Sequence, residues 1–263
     1  MKRIIVFRFD RNPLICRGRV ALLRALNPGV PLCGLFGGEA GYRQAAFRLG
    51  AKALLGLDSF YWSRQPGQWN WKNGDLALAA WYRDVGRRMH FDVAHLVEWD
   101  LVLLNSLERV YASVPVGAVG LTALIPVSQV EHEWEWLRQP DGQQQWKRLL
   151  AYARDNWGYD QVPHACVGVG PCFPRSFLER YAAIDAPEIC HDELRLPLFA
   201  QALGFPIVDT GLRRRWRDQD EDRFFNTRAV EIEPSTIMAE LAKKDGRRAF
   251  HPVRRRLKRI QPA

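Results

Sequence analysis

Short runs that are apolar at nearly every position alternate with longer runs that are apolar on one side only. This alternation restricts the fold of the chain more than any other feature. Residues 3–9, RIIVFRF, have the length and branching of a buried strand; CRGRVALLRALNPG (16–29) carries apolar residues at helical spacing and ends in an Asn-Pro-Gly turn; VPLCGLFGG (30–38) is a second strand. A helical run over 42–54 leads into LLGLDSFYW (54–62). After a tryptophan-rich loop, RQPGQWNWKNGD (64–75), LALAAWYRDVGRRM (76–89) is another amphipathic helix, and HLVEWDLVLL (95–104) supplies the next strand. Strand and helix taking turns at these intervals predict an α/β fold with a Rossmann-like, largely parallel sheet flanked by helices, because parallel neighbours need a crossover long enough to hold a helix. Residues 131–160, rich in Trp, Gln and charge, read as an inserted helical or loop region.

The 263 residues, 47% of them apolar, suffice for one sizeable core. Five scattered cysteines without a C-x-x-C pair read as reduced thiols in a cytoplasmic setting. The opening MKRIIVFRFD passes from two basic residues straight into a strand and lacks the apolar core of a signal peptide. The uncharged stretch ASVPVGAVGLTALIPVSQV (112–130) approaches the length of a membrane span, but Pro115, Gly117, Gly120 and Pro126 divide it into pieces that suit core strands joined by a turn.

The net charge of +9 sits at one end. Between Lys243 and Arg259, nine Lys/Arg against one Asp account for +8 of it, so the rest of the chain is nearly balanced. A nucleic-acid binder spreads basic residues and stacking aromatics over a working face, so nucleic acid is not the expected partner. Residues 247–259 either stay solvated or dock on an anionic membrane surface, where each Lys or Arg contributes about 1 kcal/mol, except that Phe250, Pro252 and Val253 around His251 suggest that this point of the tail packs against the body.

Within HLVEWDLVLL, Glu98 and Asp100 interrupt an apolar run, where unpaired carboxylates are costly. Side chains alternate along a strand, so the two acids are expected on one face and Trp99 on the other. Ligands of open α/β sheets bind beyond the carboxyl ends of the strands, and an acid pair there can hold a hard divalent cation that also neutralises it. A surface acid pair is the competing reading. Asp192 and Glu193 open a predicted helix, where they either carry chemistry or oppose the helix dipole.

The order of these signals resembles that of the GT-A fold glycosyltransferases, enzymes that use nucleotide-sugar donors. A β-α-β opening is followed by KNGDLALAAWYRDVG (72–86) and by EWD (98–100) where those enzymes carry D-x-D. Then come VGVGPCFPRSFLERY (167–181), an acidic pair with Leu196 and Gly204 behind it, and AFHPV (249–253) with a C-terminal histidine. The resemblance covers most of the chain. It implies a GT-A-like single domain over 1–246, with a nucleotide-binding half (1–104) and an acceptor half (105–246), followed by a basic tail (247–263). It further implies Mn2+ or Mg2+ held by Asp100 and His251 with Glu98, a nucleoside-diphosphate sugar as donor, and an acceptor hydroxyl whose proton passes to Glu193, with Asp192 beside it. The first acid of the motif is Glu98, and the acidic pair reads Asp192-Glu193 rather than Glu-Asp, which leaves the base ambiguous by one residue. An inverting course is expected, with a retaining one still open.

Donor contacts are expected at the first two strand ends, from Asp10, Gly37, Gly38 and Glu39 with Glu98, and from Lys72, Asn73 and Asp75 toward phosphates or sugar. An ordinary turn is the alternative for FGGEAG (36–41), which lacks phosphate-loop spacing. Trp62, Trp69, Trp71 and Trp157 fall in predicted loops, where aromatic faces stack on sugar rings, core packing being the plainer reading. EHEWEW (131–136) reads as a solvated segment, and Cys190 beside His191 lacks the third group a thiol nucleophile needs. Two other classes stay open. A nucleotidyltransferase is disfavoured because no glycine-rich, lysine-bearing loop follows the first strand. The second is a noncatalytic peripheral protein that docks through its basic tail.

Overall fold

The computed structural model describes residues 1–10, 13–38, 44–213, 216 and 218–256. In chain order the strands are β1 (Arg3–Phe9), β2 (Leu32–Phe36), β3 (Ser59–Trp62), β4 (Val93–Glu98), β5 (Val102–Leu103), β6 (Val119–Pro126), β7 (His164–Pro174), β8 (Ile207–Asp209) and β9 (Ala249–Phe250). Seven of them form one sheet in the order β3-β2-β1-β4-β7-β6-β8, and β5 pairs separately with β9. Within the sheet every pairing is parallel except those of β7, which runs antiparallel to both β4 and β6. The expected α/β architecture is present.

Successive residues of β1 point to opposite faces, and both faces are covered, which is why the strand is apolar nearly throughout. Ile4 and Val6 share a core with the helices Gly74–Asp84, Pro140–Trp157, Arg175–Ala183 and Asp192–Ala202; Ile5, Phe7 and Phe9 share the other with Pro13–Leu26 and Gln44–Leu55.

Three expectations are corrected. The stretch 112–130 yields a single strand, β6, entered by a turn in which Gly117 has φ 86° and left by a 3-10 turn, Val127–Gln129. Among the described residues no helix is long and apolar enough to cross a membrane. The tryptophan-rich loop contains the short helix Gly67–Lys72, and the next helix starts at Gly74. Finally, the boundary expected at 247 falls inside the folded body. β9 pairs with β5, and Phe250 and Val253 are buried with Val102, Leu104, Phe224, Ile232 and Ile237. Residues 257–263 lie outside the described part of the chain.

One buried ion pair positions the helix that matters most for the site. Arg195 and Asp75 are both sealed from solvent and meet twice, Nη2 to Oδ1 at 2.6 Å and Nε to Oδ2 at 2.9 Å. Asn73 Oδ1 and the carbonyls of Ile189 and Cys190 accept the remaining guanidinium protons, and Tyr181 donates to Asp75 Oδ2 at 2.6 Å. This network locks the start of Asp192–Ala202 onto the start of Gly74–Asp84. Asp75→Ala strands a buried guanidinium and is expected to cost about 3–5 kcal/mol of stability. Urea unfolding measures it, and a loss below about 1 kcal/mol would contradict the account.

Candidate active site

The chain runs from β1 outward to β2 and β3, then returns to place β4 on the other side of β1. Ligands of open sheets bind at the carboxyl ends flanking such a reversal. A cleft of about 730 Å³ opens there, lined at its floor by Arg8, Asp10, Glu98 and Asp100, and elsewhere by Gly37, Glu193, His251 and Arg254. β4 ends at Glu98, and Trp99 and Asp100 lie in the turn beyond it. Strand alternation therefore stops short of them, and Trp99 lines the same cleft instead of the opposite face.

His251 reaches Asp100 because β9 pairs with β5 in the register Val102 to Phe250 and Leu103 to Ala249, while the Val253 N–H donates to the Asp100 carbonyl at 2.8 Å. His251 Nδ1 lies 2.8 Å from the Asn226 carbonyl, to which it donates, which leaves Nε2 as the ring nitrogen turned to the cleft. That nitrogen faces Asp100 Oδ1 at 3.5 Å. Arg254 Nε stands 3.5 Å from the other oxygen, Oδ2. Burial pushes the Asp100 carboxyl up, but His251 and Arg254 outweigh it and hold the group below its ordinary value.

Glu98 is held by other partners. Oε2 accepts from the Gly170 N–H at 2.9 Å, and Oε1 lies 3.4 Å from Arg8 Nη2 without a hydrogen bond of its own. Burial keeps its pKa above the usual carboxylate value despite Arg8 and Gly170. Arg8 Nη1 also stands 3.9 Å from Asp192 Oδ2.

At the other end of the cleft, Glu193 accepts from the Gly168 N–H at 3.0 Å through Oε1 and from Trp136 Nε1 at 2.9 Å through Oε2. Burial raises its pKa, and neighbouring Asp192 adds to the rise. Asp192 itself is turned inward, beneath the cleft, with His191 Nδ1 2.8 Å from Oδ1. Burial disfavours its charge, yet His191, Arg8 and Arg195 together lower its pKa. The His191 ring stacks on Trp136 (4.4 Å, 14°) and meets Trp71 edgewise (5.1 Å, 74°). Trp71 remains 56% exposed.

The sequence-derived residues thus divide. Asp10, Gly37, Glu98, Asp100, Glu193 and His251 converge on the cleft. Gly38 is structural, since a Cβ there would stand 2.6 Å from the Asp10 carbonyl oxygen. Asn73 and Asp75, expected at the donor, are committed to Arg195, and Lys72 lends it a carbonyl instead of lining the cleft. Glu39 lies outside the described residues. Of the tryptophans singled out, Trp71 reaches the cleft, whereas Trp157 packs on Tyr152 and Phe199. Arg8, Trp136 and Arg254 were missed. A cation ending an otherwise apolar strand was the available signal for Arg8.

Among the described residues no three His, Cys, Asp or Glu side chains gather as a metal cluster, and Glu98, the third expected ligand, faces Arg8 and the Gly170 N–H. The Asp100 and His251 pair nevertheless suits a divalent cation. Its 3.5 Å separation is about 0.5 Å wider than the roughly 3.0 Å between adjacent octahedral ligands with bonds of about 2.1 Å, a gap that a small side-chain rotation closes. The cleft also carries seven carboxylates against five guanidiniums, an imbalance that favours cations.

No protein-family model matches the sequence, and no curated protein matches it. Among solved structures, the chain is similar to the bifunctional glycosyltransferase WbbM in its apo form, at 12% identity and TM-score 0.45 over 95% of this chain and 45% of that one. It is also similar to the galactosyltransferase LgtC in complex with donor and acceptor sugar analogs, at 12% identity and TM-score 0.40 over 91% of this chain and 78% of that one. The chain therefore spans less than half the length of the first.

The lowered pKa of Asp192 gives a pH test. A carboxyl depressed in the fold contributes stability above its unfolded value of about 3.9 and loses it as pH falls through the folded value. Asp192→Asn is expected to be less stable by about 2 kcal/mol at pH 7, with the gap closing below about pH 4 in thermal melts. A gap independent of pH would contradict it.

Proposed function

We propose that the protein transfers a sugar from a nucleoside-diphosphate sugar to an acceptor hydroxyl, with inversion, using a divalent cation at Asp100 and His251 and a general base at Glu193. The observation that carries this reading is one crevice at the sheet reversal that joins an Asp–His pair of cation-binding geometry to a carboxylate of raised proton affinity. Asp100 and His251 would hold Mn2+ or Mg2+, whose Lewis acidity stabilises the charge that develops on the departing diphosphate.

The remaining work falls to the chain's own groups. Asp10 and Gly37, at the ends of β1 and β2, border the space for the nucleoside. Exposed Arg228 and half-exposed Arg254 add positive charge at the rim. Gly168 and Trp136 fix the orientation of Glu193 by donating to both oxygens, each of which keeps a lone pair for the acceptor proton. Its raised pKa makes it a stronger base than a solvated carboxylate. Trp71 offers an exposed face on which an acceptor sugar can stack. Arg254, Arg255 and Arg256 lie at the surface beside this cleft, with Arg254 and Arg255 held to the body by Glu231 and Glu233, and this basic segment suits an anionic membrane surface.

Nucleoside diphosphates with Mn2+ are expected to raise the melting temperature, by the equivalent of about 2.7 kcal/mol at a hundredfold excess over Kd, and to do nothing in chelator. Asp100→Asn should abolish the metal-dependent part. Equal binding with and without metal would overturn the cation assignment. With a competent donor and acceptor, Glu193→Gln should lower turnover by roughly 10²-fold or more while donor affinity holds, and undiminished turnover would remove Glu193 as the base.

A further inference from the structure

A second cavity, of about 1130 Å³, lies outside the cleft between the β3 edge, the helix Gly74–Asp84 and the loop 184–188. The short helix Gly67–Lys72 separates the two spaces: Trp71 lines the cleft, and Trp69 lines the cavity. Three features define what the cavity can hold. Tyr61, Trp62, Trp69 and Tyr152 are half-buried along its wall and supply flat apolar faces. Three arginines, Arg64, Arg83 and Arg88, are matched by three acids, Asp84, Asp185 and Glu188, so the lining is balanced where the cleft is acidic. β3 is the outermost strand, so one row of its backbone N–H and C=O groups points away from β2 toward solvent. Flat faces combined with mixed donors and acceptors and no net charge suit a ligand whose groups both donate and accept and whose rings carry apolar faces. A phosphate, which is anionic and at neutral pH mainly accepts, suits it poorly.

We propose that this cavity is a second carbohydrate site, which takes the non-reacting residues of a neutral oligosaccharide. That this oligosaccharide is the acceptor rests on the glycosyl-transfer reading above; that it binds does not. Trp69 ties the partition helix to the far wall, donating from Nε1 to Glu188 at 2.8 Å, so the boundary between cleft and cavity is held in place.

The test titrates the full chain, without nucleotide or metal, with cello-, malto-, chito- and mannohexaose and follows tryptophan fluorescence. At least one hexaose is expected to saturate the signal. Trp62→Ala should weaken it about three- to tenfold, and Asp84→Asn, a milder surface change, should weaken it as well, with metal-dependent UDP binding unchanged in both. The proposal fails if no hexaose binds, if both variants bind as the parent does, or if UDP with Mn2+ displaces the sugar competitively. Hexaose binding sensitive to both substitutions in a protein that binds no nucleoside diphosphate (UDP, GDP, ADP, CDP or dTDP) with Mn2+ would sustain the cavity and overturn the cleft reading instead.

Discussion

Arg8 is the cation on which the acidic ends of the cleft depend. It is the last residue but one of β1, directly opposite Glu98 of β4, and lies 3.4 Å from that carboxylate and 3.9 Å from Asp192. Two buried carboxylates from separate elements repel each other and resist desolvation, and a guanidinium between them offsets both effects. The space it occupies is reserved by Gly74, where any Cβ would collide with Arg8 Nη1. The sheet, the helix Gly74–Asp84 and the helix Asp192–Ala202 thus meet around one side chain, and the Asp75–Arg195 pair closes the same junction from behind.

The cation that faces Glu98 gives it a setting different from that of Asp100. Glu98 is held by the Gly170 N–H and faces Arg8, whereas Asp100 faces His251, whose Nδ1 is already occupied by a carbonyl. Acids two residues apart in sequence therefore have different tasks: one fastens β4 to β1 and β7, and the other faces the ligand space.

The strands were legible where burial on both faces made them apolar throughout. RIIVFRF becomes β1 residue for residue, since no tertiary contact has to override its pattern. The packing of His251 was legible for a similar reason, because Phe250, Pro252 and Val253 interrupt a basic block that an electrostatic tail would not need. What escaped was non-local. Asp75 looks like a helix-start acid awaiting a ligand, and nothing nearby announces that Arg195, 120 residues on, will take it. Trp99 was misplaced because alternation was extended past the end of β4 into a turn.

Which acid of the pair Asp192-Glu193 meets the cleft is explained by side-chain direction rather than by sequence order. At the first turn of a helix, neighbouring residues point about 100° apart, so one of two adjacent acids must turn inward when the other faces the cleft. Asp192 turns inward, where His191, Arg8 and Arg195 keep it ionised, and Glu193 faces the cleft, where burial raises its proton affinity. Adjacent carboxylates are thus pushed in opposite directions, and the proton transfer proposed for Glu193 draws on that difference. The longer side chain of Glu193 fits this arrangement, since it must reach from the helix start to both the Gly168 N–H and the Trp136 indole. The residue able to accept a proton is therefore set by which acid the helix turns toward the cleft.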